Sequence, residues 1–236
     1  MSAEQHDPAE LYASELLHWP SQITQPEQKT AVAHRAAAHV EDRQIVGIGS
    51  GSSTYLALWA IGERVKREGL SIQIVTSSYE TGMAALRLGI PQLPLGSVEP
   101  AWGVDGADEV DPDGRLIKGR GGAMFREKVL WATAQKMYLA VDQSKHVRRL
   151  GEKFPIPIEV DRAAVDLVGR ALAAQGSTSY ELRVAGGKDG PVVTESGNFV
   201  IDAWFEKIPA GLQAELKALT GVIETGLFEG YSFELL

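Results

Sequence analysis

The chain has 236 residues and an apolar share of 44%, which suits one large α/β domain, or a domain carrying a smaller one, with a core that needs no staples. A formal net charge of −8 argues against a general nucleic-acid binder, although the field of a local site can oppose the global sign. The absence of cysteine excludes disulfides, thiolate nucleophiles and cysteine-ligated metal, and no apolar run reaches membrane-spanning length.

The first residues, MSAEQHDPAE, are polar and acidic and lack the pattern of a signal peptide, so a cytoplasmic setting is expected. Residues 1–25 read as an extension. Leu11, Leu16, Leu17 and Trp19 suit a short amphipathic surface helix or an oligomer contact before Pro20 and Pro26 interrupt. Residues 27–39 are alanine-rich and helical in propensity.

An alternation follows. Strand 44–49 leads to helix 54–67, strand 71–78 to helix 79–88, and a short strand comes at 101–105. Residues 115–118 form a fourth strand, paired through the turn Asp111-Pro112-Asp113-Gly114, before helix 123–136 and strand 137–141. This rhythm predicts a mostly parallel sheet with helices on both faces. After Gly151 the texture changes to strand 155–160, helix 163–174, strands 180–184, 191–194 and 198–203, and helix 209–219. That is a small α+β unit over residues 153–222. The terminal GLFEGYSFELL is expected to return to the first domain, which then comprises 1–152 and 223–236.

The stretch VGIGSGSST (46–54) runs three alternating glycines into hydroxyl side chains directly after an apolar strand. A P-loop needs a lysine that is missing here. A dinucleotide fingerprint, G-x-G-x-x-G, fails at Ser52 or Thr54. Strand, glycine–hydroxyl loop and helix remain, an arrangement in which backbone N–H groups and the helix N-terminus can hold a phosphate monoester without a metal. A tight turn capped by serine is the equally available plain reading.

In open parallel sheets ligands sit beyond the carboxyl ends of the strands. The strand ends deliver Ser50 and its neighbours, then Thr76-Ser77-Ser78, Asp105-Gly106-Ala107-Asp108, Lys118-Gly119-Arg120-Gly121, and Asp142-Gln143-Ser144-Lys145. Asp142 would equally serve as a helix cap, and Lys118 as a solvated surface lysine; their joint placement favours a site. Glu127 is the sharpest residue. At about 100° per residue it falls within the apolar arc of Leu130, Trp131, Ala134 and Met137, with Arg126, Lys128 and Lys136 outside it. A carboxylate there is costly unless paired, for instance with Lys118, or functional; opposing influences on its pKa suit a general base. The histidines, His6, His18, His34, His39 and His146, show no zinc spacing, and no G-x-S-x-G elbow appears, so neither metal nor a hydrolase triad is expected.

VGIGSGSST, the serines 77–78, VDGADEVD (104–111), LIKGRGGAMFREK (116–128) and VDQSKHV (141–147) together resemble the motif set of type A ribose-5-phosphate isomerase, from about Lys29 to Phe228. The resemblance implies a Rossmann-like α/β domain with a small α+β, ferredoxin-like lid, assembled as a homodimer or homotetramer and needing no cofactor. By position, Ser50, Gly51, Ser52 and Ser53 match the phosphate loop, and Asp105, Gly106, Ala107 and Asp108 the substrate-binding aspartate segment. Lys118, Gly119, Arg120 and Gly121 match the lysine–glycine segment. Glu127 matches the catalytic base, Lys145 a substrate-binding lysine and Lys29 a phosphate contact.

Three departures stand out. Arg120 occupies a place where many members carry glycine, so an ordinary backbone is expected there, with the side chain adding a cation or facing solvent; a left-handed backbone would cost about 1–2 kcal/mol. The N-terminal extension is unusual. The chain stops soon after GLFEG, where members commonly continue with another strand, which bears on the sheet edge and the assembly.

The implied reaction interconverts D-ribose 5-phosphate and D-ribulose 5-phosphate through an enediolate, with a small-molecule pentose phosphate as the partner and no nucleic acid or membrane. The glycine–hydroxyl loop and Lys29 hold the phosphate, Glu127 moves the proton, and Lys118, backbone N–H groups and Lys145 stabilise the enediolate. Asp105 and Asp108 bind hydroxyls and assist ring opening. Two other readings stay open at this point. One is a non-catalytic sugar-phosphate sensor, for which the short acidic N-terminus offers no DNA-binding module. The other is a different sugar-phosphate enzyme, such as an amino-sugar phosphate deaminase or a phosphogluconolactonase, which the DGADE-to-REK spacing disfavours.

Overall fold

The computed structural model describes residues 23–236. The helix expected around Leu16 and Trp19 lies outside the described residues. Helix α1 (Pro26–Ala38) begins with proline in its first turn, where the missing N–H costs nothing. Strand β1 (Ile45–Ile48), α2 (Ser52–Glu68), β2 (Gln73–Thr76), α3 (Tyr79–Arg87) and β3 (Trp102–Asp105) then alternate. Gly69 ends α2 in a left-handed cap with φ 67°.

The strands at the heart of this alternation are buried on both faces. Ile74 packs with Val46, Ile48, Leu56 and Ile61 on one side. Its neighbour Val75 faces Leu130, Trp131 and Leu139 on the other. The alternation follows from the two-residue period of a strand, and helices on both faces explain why these strands read as continuous apolar runs. With β6 (Met137–Leu139) and β12 (Glu234–Leu235), β1–β3 make a five-stranded parallel sheet in the order β12-β6-β3-β1-β2. The strand β12, which the sequence did not suggest, pairs with β6 through Glu234↔Tyr138 and Leu235↔Leu139 and so extends the sheet beyond β6.

The fourth predicted strand is not in that sheet. The segments β4 (Glu109–Val110) and β5 (Leu116–Ile117) form a hairpin, and β5 also pairs with β11 (Leu227–Phe228) in a separate three-stranded antiparallel ribbon. The Asp111–Gly114 turn is too short for the crossover that a parallel neighbour needs. Asp111 fixes the turn, accepting from the backbone N–H groups of Asp113 and Arg115 at 3.0 and 2.9 Å. Helix α4 (Met124–Thr133) stops three residues before its expected end, with Ala134 already extended at ψ 137°.

Strands β7 (Ile156–Val160), β8 (Ser177–Leu182), β9 (Phe199–Phe205) and β10 (Val222–Thr225) form an antiparallel sheet in the order β10-β7-β9-β8. It packs under α5 (Val165–Ala174) through Ile158, Ile201, Val168 and Leu172, with α6 (Leu212–Lys217) adding Leu216. Residues 191–194 make no strand; they contribute only the bridge Val184↔Pro191, proline having no N–H with which to extend a ladder. No helix among the described residues is long and apolar enough to cross a membrane.

Candidate active site

Two of the three alternating glycines, Gly49 and Gly51, have distinct causes. A Cβ on Gly49 would collide with the Asp105 side chain, so glycine lets β3 deliver that carboxylate close beside β1. Gly51 has φ 96° and opens α2 without any side-chain cap, leaving the first-turn N–H groups free of a serine. Serine capping, the plain reading of this loop, is therefore absent; Thr54 Oγ1 instead donates to Gly51 O at 2.8 Å.

Asp105 is fully buried. Its Oδ1 accepts from Gly106 N at 2.8 Å and lies 3.0 Å from Lys118 Nζ, while Oδ2 accepts from Trp131 Nε1 at 2.8 Å. Lys118 reaches inward from the end of β5, donating to Glu127 Oε1 at 3.1 Å and to Gly106 O. The same Oε1 accepts from Ser50 Oγ at 2.7 Å. Glu127 is 2% exposed, and its Oε2 has no hydrogen-bond partner among the described residues. Burial raises the Glu127 carboxyl; Lys118 opposes that, Asp105 adds to it, and the outcome is a value of about 7. For Lys118, burial is outweighed by Asp105 and Glu127, which push the ammonium up to about 12. A permanently charged lysine thus sits against a carboxyl poised near neutrality.

These groups floor a cavity of about 400 Å³. Of the residues matched to the phosphate loop, the aspartate and lysine–glycine segments, the base and the two lysines, all line it except Asp105, which lies 3.0 Å behind Lys118 Nζ. Of the other strand-end residues Ser78 lines it, and Thr76, Ser77, Asp142, Gln143 and Ser144 do not. At one flank, Lys29 is 4% exposed, donates to Thr24 Oγ1 at 3.0 Å and lies 3.9 Å from Asp142 Oδ2. Burial lowers its pKa, Asp142 opposes, and the nearby Lys145 and Arg120 lower it further, so three cations share this end. Asp142 does cap the turn after β6, accepting from Ser144 N at 2.9 Å, and also faces Lys29.

Arg120 is absent from the residues with positive φ; the left-handed positions beside it fall on Gly119 and Gly122. Its N–H donates to Asp108 Oδ2 at 3.2 Å. Arg183, just beyond β8, holds the same loop, donating to Gly119 O at 3.0 Å and Arg120 O at 2.8 Å while paired with Asp202.

Lys128 corrects the helical-wheel reading. It is 6% exposed and paired with Glu224 Oε1 at 2.8 Å, because β10 covers the face that the wheel left to solvent. Three further lining residues, Thr24, Glu80 and Glu195, were not singled out from the sequence. Ser78 ends the second strand segment and Glu80 follows two residues later, so reading one turn past the strand would have reached it. Glu195 belongs to the turn before β9, and nothing local marks it.

Residues 73–236 match the family model described as ribose 5-phosphate isomerase A (phosphoriboisomerase A). A protein named ribose-5-phosphate isomerase A from Methanothermobacter thermautotrophicus is 43% identical over 204 residues, covering 86% of this chain and 89% of that protein. One from Thermosynechococcus vestitus is 44% identical over 206 residues, covering 86% and 87%. The solved ribose 5-phosphate isomerase A of Methanocaldococcus jannaschii superposes with a TM-score of 0.85 at 36% identity, covering 89% of this chain and 93% of its own. A D-ribose-5-phosphate isomerase in complex with phospho-erythronic acid gives 0.83 at 40% identity, covering 87% and 91%. The chain belongs to the ribose 5-phosphate isomerase A family.

Proposed function

We propose that this protein interconverts D-ribose 5-phosphate and D-ribulose 5-phosphate through an enediolate. The observation that carries this reading is the free, buried Oε2 of Glu127, which belongs to a carboxyl held near neutrality by burial and lining a cavity with a cationic end. That a relative is solved with phospho-erythronic acid supports a sugar-phosphate ligand here.

The phosphate binds at the Lys29–Lys145–Arg120 flank and on the first-turn N–H groups of α2, and so fixes the reacting carbons. Asp108 and backbone groups assist opening of the sugar ring. In the open-chain aldose, ionised Glu127 takes the proton from C2. The C2–H electron pair becomes the C1–C2 double bond, and the carbonyl π pair moves onto O1. Lys118 stabilises that oxygen; one such donor is worth about 3–4 kcal/mol. A proton passes from O2 to O1, C2–O becomes a carbonyl, and Glu127 returns its proton to C1. Atoms and electrons balance without a cofactor. Asp105 acts through Lys118, which it positions. A homo-oligomer in the cytoplasm is the setting we infer from the family.

The test is a coupled assay for ribulose 5-phosphate formed from ribose 5-phosphate, run with and without a chelator and beside glucosamine 6-phosphate and 6-phosphogluconolactone. Turnover of the pentose phosphate alone, indifferent to chelator, supports the reading. Preference for either hexose derivative overturns it.

A further inference from the structure

The cavity differs in charge from end to end. Sheet order explains why: β6 and β2 flank the central pair β3 and β1. Lys145, which follows β6, and Glu80, which follows β2, therefore approach the cavity from opposite sides, and both line it. Glu195 joins Glu80 from the turn before β9. It is fixed there, its Oε2 accepting from Tyr79 N at 2.9 Å and its own N–H donating to Gly122 O at 3.0 Å. The Glu80 side chain has no hydrogen bond or ion pair among the described residues. Burial raises its carboxyl, and the neighbouring Glu195 raises it further, to about 7. Burial likewise raises Glu195, with Tyr79 N–H and Arg126 opposing. The buried, unpartnered Glu127 Oε2 belongs to the same cavity. The isomerase mechanism gives work to the cationic end and to Glu127, and none to Glu80.

We propose that Glu80, together with Glu195, forms an acidic end wall that reads the phosphate-free end of the sugar and rejects a second phosphate there. A pentose held by its single phosphate presents neutral hydroxyl and carbonyl oxygens to this wall. A carboxylate accepts from the former, and a protonated carboxyl donates to the latter. A pentose 1,5-bisphosphate, or a monophosphate entering backwards, would set a dianion against carboxylates in a partly water-excluded space. The wall therefore fixes the direction in which substrate lies, so that C1 and C2 meet Glu127. This inference rests on the isomerase reading for the identity of the sugar, and its test is separate from that reading.

Calorimetric affinities for inorganic phosphate and for ribulose 1,5-bisphosphate are measured at pH 8, above the value of about 7 at which Glu80 ionises, in the wild type and in Glu80→Gln and Glu80→Ala. Both variants are expected to bind the bisphosphate about fivefold or more tightly than the wild type. Inorganic phosphate, which reports on the cationic end and on correct folding, is expected to stay within about twofold. An unchanged bisphosphate affinity overturns the proposal, as does a parallel change in both ligands. Turnover of ribose 5-phosphate by the same wild-type preparation reports separately on the isomerase reading, because the two affinities need no catalysis.

Discussion

Ser50 Oγ donates a 2.7 Å hydrogen bond to Glu127 Oε1, across 77 residues of sequence. The bond joins the glycine–hydroxyl loop to the proton-transfer group, so two serines in one loop serve different steps. Ser50→Ala leaves Oε1 with Lys118 as its only partner among the described residues and loosens the base. A lost hydrogen bond to a charged group is worth about 1.5–3 kcal/mol, so kcat is expected to fall roughly tenfold to a hundredfold with KM nearly constant. Ser52→Ala, at the first turn of α2, is expected to raise KM with kcat nearly constant. Steady-state kinetics on the two variants check this; the same split in both would contradict the division of labour.

Glu127 must be ionised to accept a proton, and burial sets its carboxyl to about 7. The group is raised above its ordinary value of 4.5, so it is protonated and idle below pH 7 and active above. The kcat profile is therefore expected to climb through a midpoint near 7 and level off. Lys118 holds the value down, so Lys118→Met is expected to lower kcat and move the midpoint to higher pH. A midpoint that stays in place or falls would mean that the lysine does not control the base.

Gly49 is required by the approach of Asp105, whose carboxylate occupies the space of a Cβ. Gly49→Ala is expected to push Asp105 away from Lys118 and to cost about 1–3 kcal/mol of stability through overpacking. Thermal unfolding and kcat, measured together, are expected to fall together. An unchanged melting temperature would show that the contact is easily relieved.

Much of this was legible in the sequence because local physics decided it. The apolar runs around Val46 and Ile74 read as strands, and Glu127 stood out because its position on the helix conflicts with its charge. What stayed hidden depended on distant pairing. The Leu116–Ile117 strand joins Leu227–Phe228, a partner more than a hundred residues away that no local pattern names. Lys128 looked solvated because Glu224 and β10 cover it from the far end of the chain. Asp105 stood out because it ends a parallel strand and matches the substrate-binding segment of the resembled family; its contacts to Trp131 and Lys118, distant in sequence, were not readable there. Glu195 reaches the cavity through a contact distant in sequence, its Oε2 accepting from Tyr79 N.

The central claim is that one carboxylate carries the proton between neighbouring carbons while the phosphate is held elsewhere. Its most direct test is Glu127→Gln, assayed on ribose 5-phosphate with affinity for the sugar phosphate measured on the same preparation. The account expects kcat to drop by about two to four orders of magnitude, with binding within a few-fold of the wild type. Near-normal turnover by the glutamine variant would contradict it.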